Sequence, residues 1–122
     1  MQLTTPITEA LSRYLDLTTA QIKLTASNMA NIDTPGYRTQ GFDFQREFAS
    51  QLSASDLSDA TVVEPQAEAI DGLVARPDGN NVSMDREGLQ LAKAQLQFKL
   101  GIQLLKSEFS MISSAIHSGD GK

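Results

Sequence analysis

Apolar positions recur at helical spacing near both ends of the chain and lose that period in between. From Leu11 through Leu15, Thr18, Ile22, Thr25, Met29 and Ile32 the steps alternate between four and three. This heptad spacing keeps one stripe of a helix against a partner helix. Two of the positions are threonine, so the seam predicts a crowded, partly polar contact rather than a simple zipper. Tyr14, Leu24 and Ala26 widen the stripe. Thr5 is a candidate N-cap, and Pro6 suits the first helical position, where no amide donor is needed. A first helix is therefore expected over about 6–32. The second pattern runs through Met84, Gly88, Leu91, Gln95, Phe98, Ile102, Leu105, Phe109, Ile112 and Ile116, and every position from Phe98 onward is apolar. Ser83 is its candidate N-cap, with Asp85 and Glu87 in the first turn near the positive end of the helix dipole. His117 and Gly119 mark the expected stop, giving a helix over about 83–117. The two helices should be about 40 and about 50 Å long.

Neither helix can hide its stripe alone, so the two should pack on each other. The predicted fold is mainly α: long N- and C-terminal helices pair as a coiled-coil-like hairpin, with a flexible loop or short β-hairpin inserted between them. The whole chain, 1–122, reads as a single domain with a turn and flexible middle over 33–82. Leu89, Leu91, Ala92, Leu96, Leu100, Ile102, Leu104 and Leu105 cover more than one face of the last helix, with Leu100 and Leu104 off the main seam, so one partner helix leaves apolar surface wet. Further helix partners from other subunits are expected.

The middle carries the charge. Between Ser53 and Asn81 lie six acids and one base, Arg76, which equals the net charge of −5 of the entire chain. The flanks balance. An acidic middle between neutral flanks offers no basic face for nucleic acid. Phe42, Phe44 and Phe48 form an aromatic cluster, with an extended stretch expected at Gly41–Phe44 and a helical turn or two from Gln45 to Leu52. Thr61-Val62-Val63 and Leu73-Val74-Ala75 are strand-like runs that would pair as a weak hairpin. Pro77-Asp78-Gly79-Asn80-Asn81 is a turn cluster.

Catalytic chemistry finds no constellation. The chain has no cysteine, so disulfides, thiolate nucleophiles and cysteine metal sites are excluded. The one histidine, His117, has no clustered partners and reads as a helix C-terminal cation. Asp78-Gly79-Asn80-Asn81 lacks the spacing and bidentate acid of a calcium loop. No enzyme activity, cofactor, metal or small-molecule substrate is expected. No apolar run approaches the roughly 20 residues that span a bilayer. The first residues lack the basic start and apolar core of a cleaved secretory signal, so any exit from the cytoplasm is expected to use another route.

The most specific string is Ala26-Ser27-Asn28-Met29-Ala30-Asn31-Ile32-Asp33-Thr34-Pro35-Gly36-Tyr37. Asn28 and Asn31 lie near the helix end, where their amides can bind carbonyls left without partners. Thr34 precedes proline and is pushed out of the helical region. Pro35 and Gly36 suit the two central positions of a type II turn. The string resembles the N-terminal signature of the flagellar axial proteins, the rod, hook and hook-associated family. In that family the terminal helices pair and members differ in what lies between them. The insertion here is too short for hook or distal rod proteins, which leaves the small proximal rod proteins. Tyr37-Arg38 before Phe42-Asp43-Phe44, the run Asp78 to Val82, and the stretch Leu96 to Ile116 are similar to one of these. An Ala-Tyr-Gln-Ala-Asn element typical of its sister protein is absent.

The resemblance implies a structural subunit of the proximal rod in the periplasm, exported by the flagellar type III apparatus without a cleaved signal. Implied partners are copies of itself, other rod proteins, the adaptor at the rod base and the export gate. The signature residues would be Asn28, Asn31, Thr34, Pro35, Gly36 and Tyr37. The assembly interface would be Leu11, Leu15, Ile22 and Met29 with Leu91, Phe98, Ile102, Leu105, Phe109, Ile112 and Ile116. The free chain is expected to be loosely helical and to order on assembly. The alternatives are the sister rod protein, or a soluble coiled-coil adaptor or chaperone that is stably helical alone.

Overall fold

A computed structural model describes residues 5–53 and 64–120. Its elements are α1 (Pro6–Ala30), β1 (Gln40–Gly41), α2 (Phe44–Leu52), β2 (Glu68–Ala69) and α3 (Met84–Asp120). The expected plan of two long terminal helices around a small insertion is present.

Each helix begins at a side-chain cap. Thr5 Oγ1 accepts from the Thr8 amide at 3.1 Å, with Pro6 just inside α1. The Asp43 carboxylate accepts from the Arg46 amide at 3.1 Å and starts α2. Ser83 Oγ accepts from the Arg86 amide at 3.3 Å and starts α3. Helix α1 stops at Ala30, two residues before the expected end: the Asn31 and Ile32 amides turn back onto the last turn, and the Thr34 amide donates to the Asn31 carbonyl. Helix α3 runs past His117 and Gly119 to Asp120. One glycine weakens a helix by about 1 kcal/mol, which does not break an established one.

Helices α1 and α3 are antiparallel: Asn28 meets Glu87 near one end, and Tyr14 and Leu15 meet Gly101 further along. The buried line of α3 passes through Glu87, Ala94 and Gly101, a strict seven-residue repeat. The sequence pattern alone had selected Gly88, Gln95, Ile102 and Phe109 beside the shared positions Leu91, Phe98 and Leu105. The contact is rotated toward the smaller residues. A Cβ at Gly101 would come within 2.7 Å of Leu15 Cδ2 and 3.2 Å of Tyr14 Cδ1, so close approach selects glycine there. On α1, Thr18 and Thr25 are fully buried. Their hydroxyls are satisfied locally, Thr18 donating to the Tyr14 carbonyl at 2.8 Å and Thr25 accepting from Gln21 at 3.2 Å. The crowded, partly polar seam is therefore as expected.

The insertion differs from the anticipated hairpin. Thr61-Val62-Val63 lies outside the described residues, and Leu73-Val74-Ala75 is not a strand. The sheet instead pairs β1 with β2 antiparallel, Gln40 opposite Ala69 and Gly41 opposite Glu68. Ile70 lies across Gly41 so closely that a Cβ there would meet Ile70 Cδ1 at 2.6 Å. In the described part of the middle, the Ile70 amide donates to the Thr39 carbonyl and the Arg76 amide to that of Asn80. The aromatic cluster of Phe42, Phe44 and Phe48 gains Tyr14 from α1, whose ring meets Phe44 and Phe48 edge-on at 5.3 and 5.5 Å. Burial there pushes the Tyr14 phenol pKa upward.

Little apolar side chain is fully buried. Among the described residues only Leu17, Val82 and Ala94 are buried and hydrophobic, against eight buried polar or charged residues. The Gly101 contact yields a direct test. Gly101→Leu should overpack the α1–α3 crossing and lower stability by about 1–3 kcal/mol, measured as a loss of helical ellipticity at lower temperature or denaturant than the parent chain.

Candidate functional site

Two features stand out: a saturated polar junction where α1, the turn, β1 and α3 meet, and the apolar faces of α3 turned away from it.

Asn28 is the hub of the junction and is 1% exposed. Its amide nitrogen donates to the Gln40 carbonyl at 2.8 Å and to Glu87 Oε2 at 3.1 Å. Its amide oxygen accepts from the Gln40 N–H at 3.0 Å and from the Tyr37 hydroxyl at 3.1 Å. All four hydrogen bonds open to a side-chain amide are made. Toward β1 the side chain acts as a short strand, satisfying both backbone groups of Gln40. The expectation that Asn28 would bind free carbonyls of its own helix is thereby corrected: it reaches across to β1 and α3. Asn31 does bind its own helix, donating to the Ser27 carbonyl at 2.8 Å, and it accepts from the Thr34 hydroxyl at 3.0 Å.

Glu87 is equally buried, and its second oxygen accepts from Arg86 at 2.6 Å. Placement in the first turn of α3 adds the favourable field of the helix N-terminus to these bonds. A buried carboxylate without such partners would be strongly destabilising.

The turn after α1 has the predicted form. Gly36 has φ +74, and the Tyr37 amide donates to the Thr34 carbonyl at 3.2 Å, placing Pro35 and Gly36 at the centre of a type II turn. A second turn, Arg76 to Asn81, lies against it. Gly36 donates to the Asp78 carbonyl at 2.9 Å, and a Cβ at Gly79 would come within 3.4 Å of Gly36 Cα. Asn80 donates to the carbonyls of Asn31 and Thr34 at 2.9 and 2.8 Å, capping the end of α1 from outside the helix. Asn81 Oδ1 accepts from the Thr39 amide at 2.6 Å and its hydroxyl at 2.9 Å. The Arg76 guanidinium joins the carbonyls of Ile32 and Val82. Among the described residues no buried side-chain polar atom lacks a partner. A junction this saturated holds the elements it joins in place.

Of the anticipated interface residues, Leu11, Leu15, Ile22, Met29, Leu91, Ile102, Leu105 and Ile112 are half-buried in the isolated chain. Phe98, Phe109 and Ile116 are exposed. A further stripe, Leu89, Leu96, Leu100, Leu104 and Met111, is exposed with them. At about 100° per residue Leu89 and Leu96 lie opposite the Glu87–Ala94–Gly101 line, while Leu100, Leu104 and Met111 lie about 60–100° to one side of it. The width of apolar surface on the last helix is as expected from the sequence. Glu87 and Gly101 were not anticipated as contacts. The signal for both was available in the seven-residue spacing of Glu87, Ala94 and Gly101, which a search for large apolar residues passes over. Among the described residues, no helix is long and apolar enough to cross a membrane, and no group of acidic, histidine or cysteine side chains is placed to hold a metal.

A family model described as flagella basal body rod protein matches residues 15–38, from the middle of α1 through the type II turn. The flagellar basal body rod protein FlgB of Salmonella typhimurium is 30% identical over 123 residues, covering 87% of this chain and 89% of that protein. The Escherichia coli protein of the same name is 28% identical with the same coverage. That of Bacillus subtilis is 27% identical over 106 residues, covering 80% of this chain and 82% of that protein. The similarity thus spans both terminal helices and the junction between them.

The junction predicts a pH signature. Asn28→Asp would place a second carboxylate 3.1 Å from Glu87. Two buried carboxylates raise the folded pKa of one of them above its unfolded value. Its stabilising contribution is present at low pH and lost as pH rises through the folded pKa. The variant should therefore be more stable at pH 5 than at pH 7, relative to the parent, in denaturant unfolding at the two pH values.

Proposed function

The chain belongs to the family of the flagellar basal body rod protein FlgB, and we propose that it is a subunit of the proximal rod that polymerises through its terminal helices. It is a structural component of the flagellar basal-body rod. Placement in the proximal part, nearest the membrane rotor, rests on the short insertion and on similarity over most of the chain. Within the rod it would contact copies of itself, other rod proteins and the adaptor at the rod base. It would reach the periplasm through the flagellar type III export gate.

The observation that carries this reading is the imbalance between core and surface. Three apolar side chains are fully buried among the described residues, while twelve large hydrophobic ones are exposed, nine of them on α3. Burying one such side chain is worth about 1.5–3 kcal/mol. Helix partners that cover Phe98, Phe109 and Ile116 would add to the apolar burial that the free chain achieves internally. Folding of the terminal helices would then be coupled to assembly, the ordering entropy being offset by this burial. A loosely held monomer also suits passage through a narrow export channel. Asn28, Asn31, Thr34, Pro35, Gly36 and Tyr37 would set the angle between α1 and the insertion, so that every subunit presents its α3 faces alike.

Deletion of the gene, with complementation, tests the assignment. Loss of motility and of external hook and filament, both restored by the gene, is the expected outcome. Normal swimming with intact hooks would instead favour a soluble helical adaptor. Phe109→Asp in the complementing gene should abolish rod assembly while leaving the exported chain soluble, as scored by isolated basal bodies and by soluble protein level.

A further inference from the structure

The chain contains three aspartate–glycine dipeptides, at 71–72, 78–79 and 120–121, and the structure describes the first two in full. An aspartate followed by glycine is open to one backbone reaction. The glycine nitrogen attacks the aspartate Cγ, the new N–Cγ bond closes a five-membered succinimide, and the carboxyl oxygen leaves as water with the amide proton. Water then opens the ring at either carbonyl. Opening at Cγ restores aspartate. Opening at the α-carbonyl leaves the main chain running through Cβ, one methylene longer, as isoaspartate. Glycine favours the attack because no Cβ shields its nitrogen. The dipeptide is the same at both described positions; the surroundings are not.

At Asp78 both reacting groups are engaged. The Gly79 amide donates to the Arg76 carbonyl at 2.8 Å, and the Asp78 carboxylate accepts from the Asn80 amide at 3.0 Å. The Arg76 amide donates to the Asn80 carbonyl at 2.8 Å and closes the loop Pro77-Asp78-Gly79, with Gly79 at φ +87. From the other turn, the Gly36 amide holds the Asp78 carbonyl at 2.9 Å. While the two turns are docked, the peptide plane between Asp78 and Gly79 cannot swing its nitrogen toward Cγ.

Asp71 and Gly72 are exposed, and among the described residues neither the Asp71 carboxylate nor the Gly72 amide has a hydrogen-bond partner. Their peptide lies between two anchors, the Ile70 amide on the Thr39 carbonyl and the Arg76 amide on the Asn80 carbonyl. Between those anchors Val74 and Ala75 are exposed as well. An extra methylene at Asp71 displaces no contact of the junction. One at Asp78 would move the carbonyl that Gly36 holds and the carboxylate that Asn80 holds.

We propose that Asp71-Gly72 is a site of spontaneous succinimide and isoaspartate formation in the folded chain, and that docking of the two turns withholds the same reaction from Asp78-Gly79. The fold thereby directs the modification to a stretch that tolerates it and away from the junction that does not. Nothing in this chemistry depends on the rod assignment.

Each passage through the ring takes up one oxygen from solvent. The purified full chain is incubated at neutral pH in water enriched in oxygen-18, folded and in denaturant, and label at the two aspartates is read by peptide fragmentation in a mass spectrometer. In the folded chain Asp71 should take up label faster than Asp78 by about tenfold or more, since the docked turns must first open locally. In denaturant the two rates should converge. Equal rates in the folded chain, faster uptake at Asp78, or an unchanged ratio in denaturant would each overturn the proposal. Asn80→Ala removes the bonds to the Asn31 and Thr34 carbonyls that hold the turns together. It should raise the Asp78 rate toward that of Asp71 with helical ellipticity retained; an Asp78 rate that stays at the parent level overturns the part assigned to docking. Should that variant lose its helices, Arg76→Gln, which frees the Ile32 and Val82 carbonyls, is scored in the same way.

Discussion

The contact between Asn28 and Glu87 is the constraint on which the rest of the molecule depends. It joins the last turn of α1 to the first turn of α3 across 59 residues of chain. Both side chains are almost fully buried, so neither has water as an alternative partner. Slipping either helix by one residue would leave an amide and a carboxylate unsatisfied, at several kcal/mol. Register between the long helices is thus specified by a polar pair, while the small residues along the seam specify how closely they approach. The same Asn28 amide also holds both backbone groups of Gln40, so the position of β1 follows from that of α1.

Around this hub the two turns act as one unit. The type II turn at Pro35-Gly36 and the turn at Arg76–Asn81 touch through their glycines and exchange backbone and side-chain hydrogen bonds. Positive φ at Gly36 and Gly79 is what lets two backbones come this near. The arrangement gives a polar, fully hydrogen-bonded end to a hairpin whose α3 side carries exposed apolar residues. Rigidity at one end and incomplete burial along α3 suit a structural subunit that presents a defined shape to neighbours.

Much of this was legible in the chain. Heptad spacing at both ends gave two paired helices, and the caps Thr5 and Ser83 obey local rules that need no tertiary information; the Asp43 cap obeys the same rule but was not read from the chain. The turn at Thr34-Pro35-Gly36-Tyr37 follows from the residue before proline and from the freedom of glycine. The exposed width of α3 was visible in leucines that cover more than one of its faces, with Leu100 and Leu104 off the seam. What was missed is non-local. A pattern search that weights large apolar residues centres the α3 seam on Ile102 and Phe109. The folded contact turns toward Gly101 because Tyr14 and Leu15 fill the space that a side chain there would need. Likewise β1 pairs with β2 in place of a hairpin of β-branched runs, because Asn28 holds Gln40 and Ile70 covers Gly41, neither of which is a neighbour in sequence.

The sequence by itself therefore determined the helices, their caps, the sharp turn and the excess of apolar surface, since each arises from residues within a few positions of one another. Only the tertiary structure decided which face of α3 meets α1, that Asn28 and Glu87 bury one another, and how far α3 projects beyond its partner. These depend on the axial and rotational register of two helices. Periodicity leaves that register degenerate, and it is resolved only when side chains distant in sequence compete for the same space and the same hydrogen bonds.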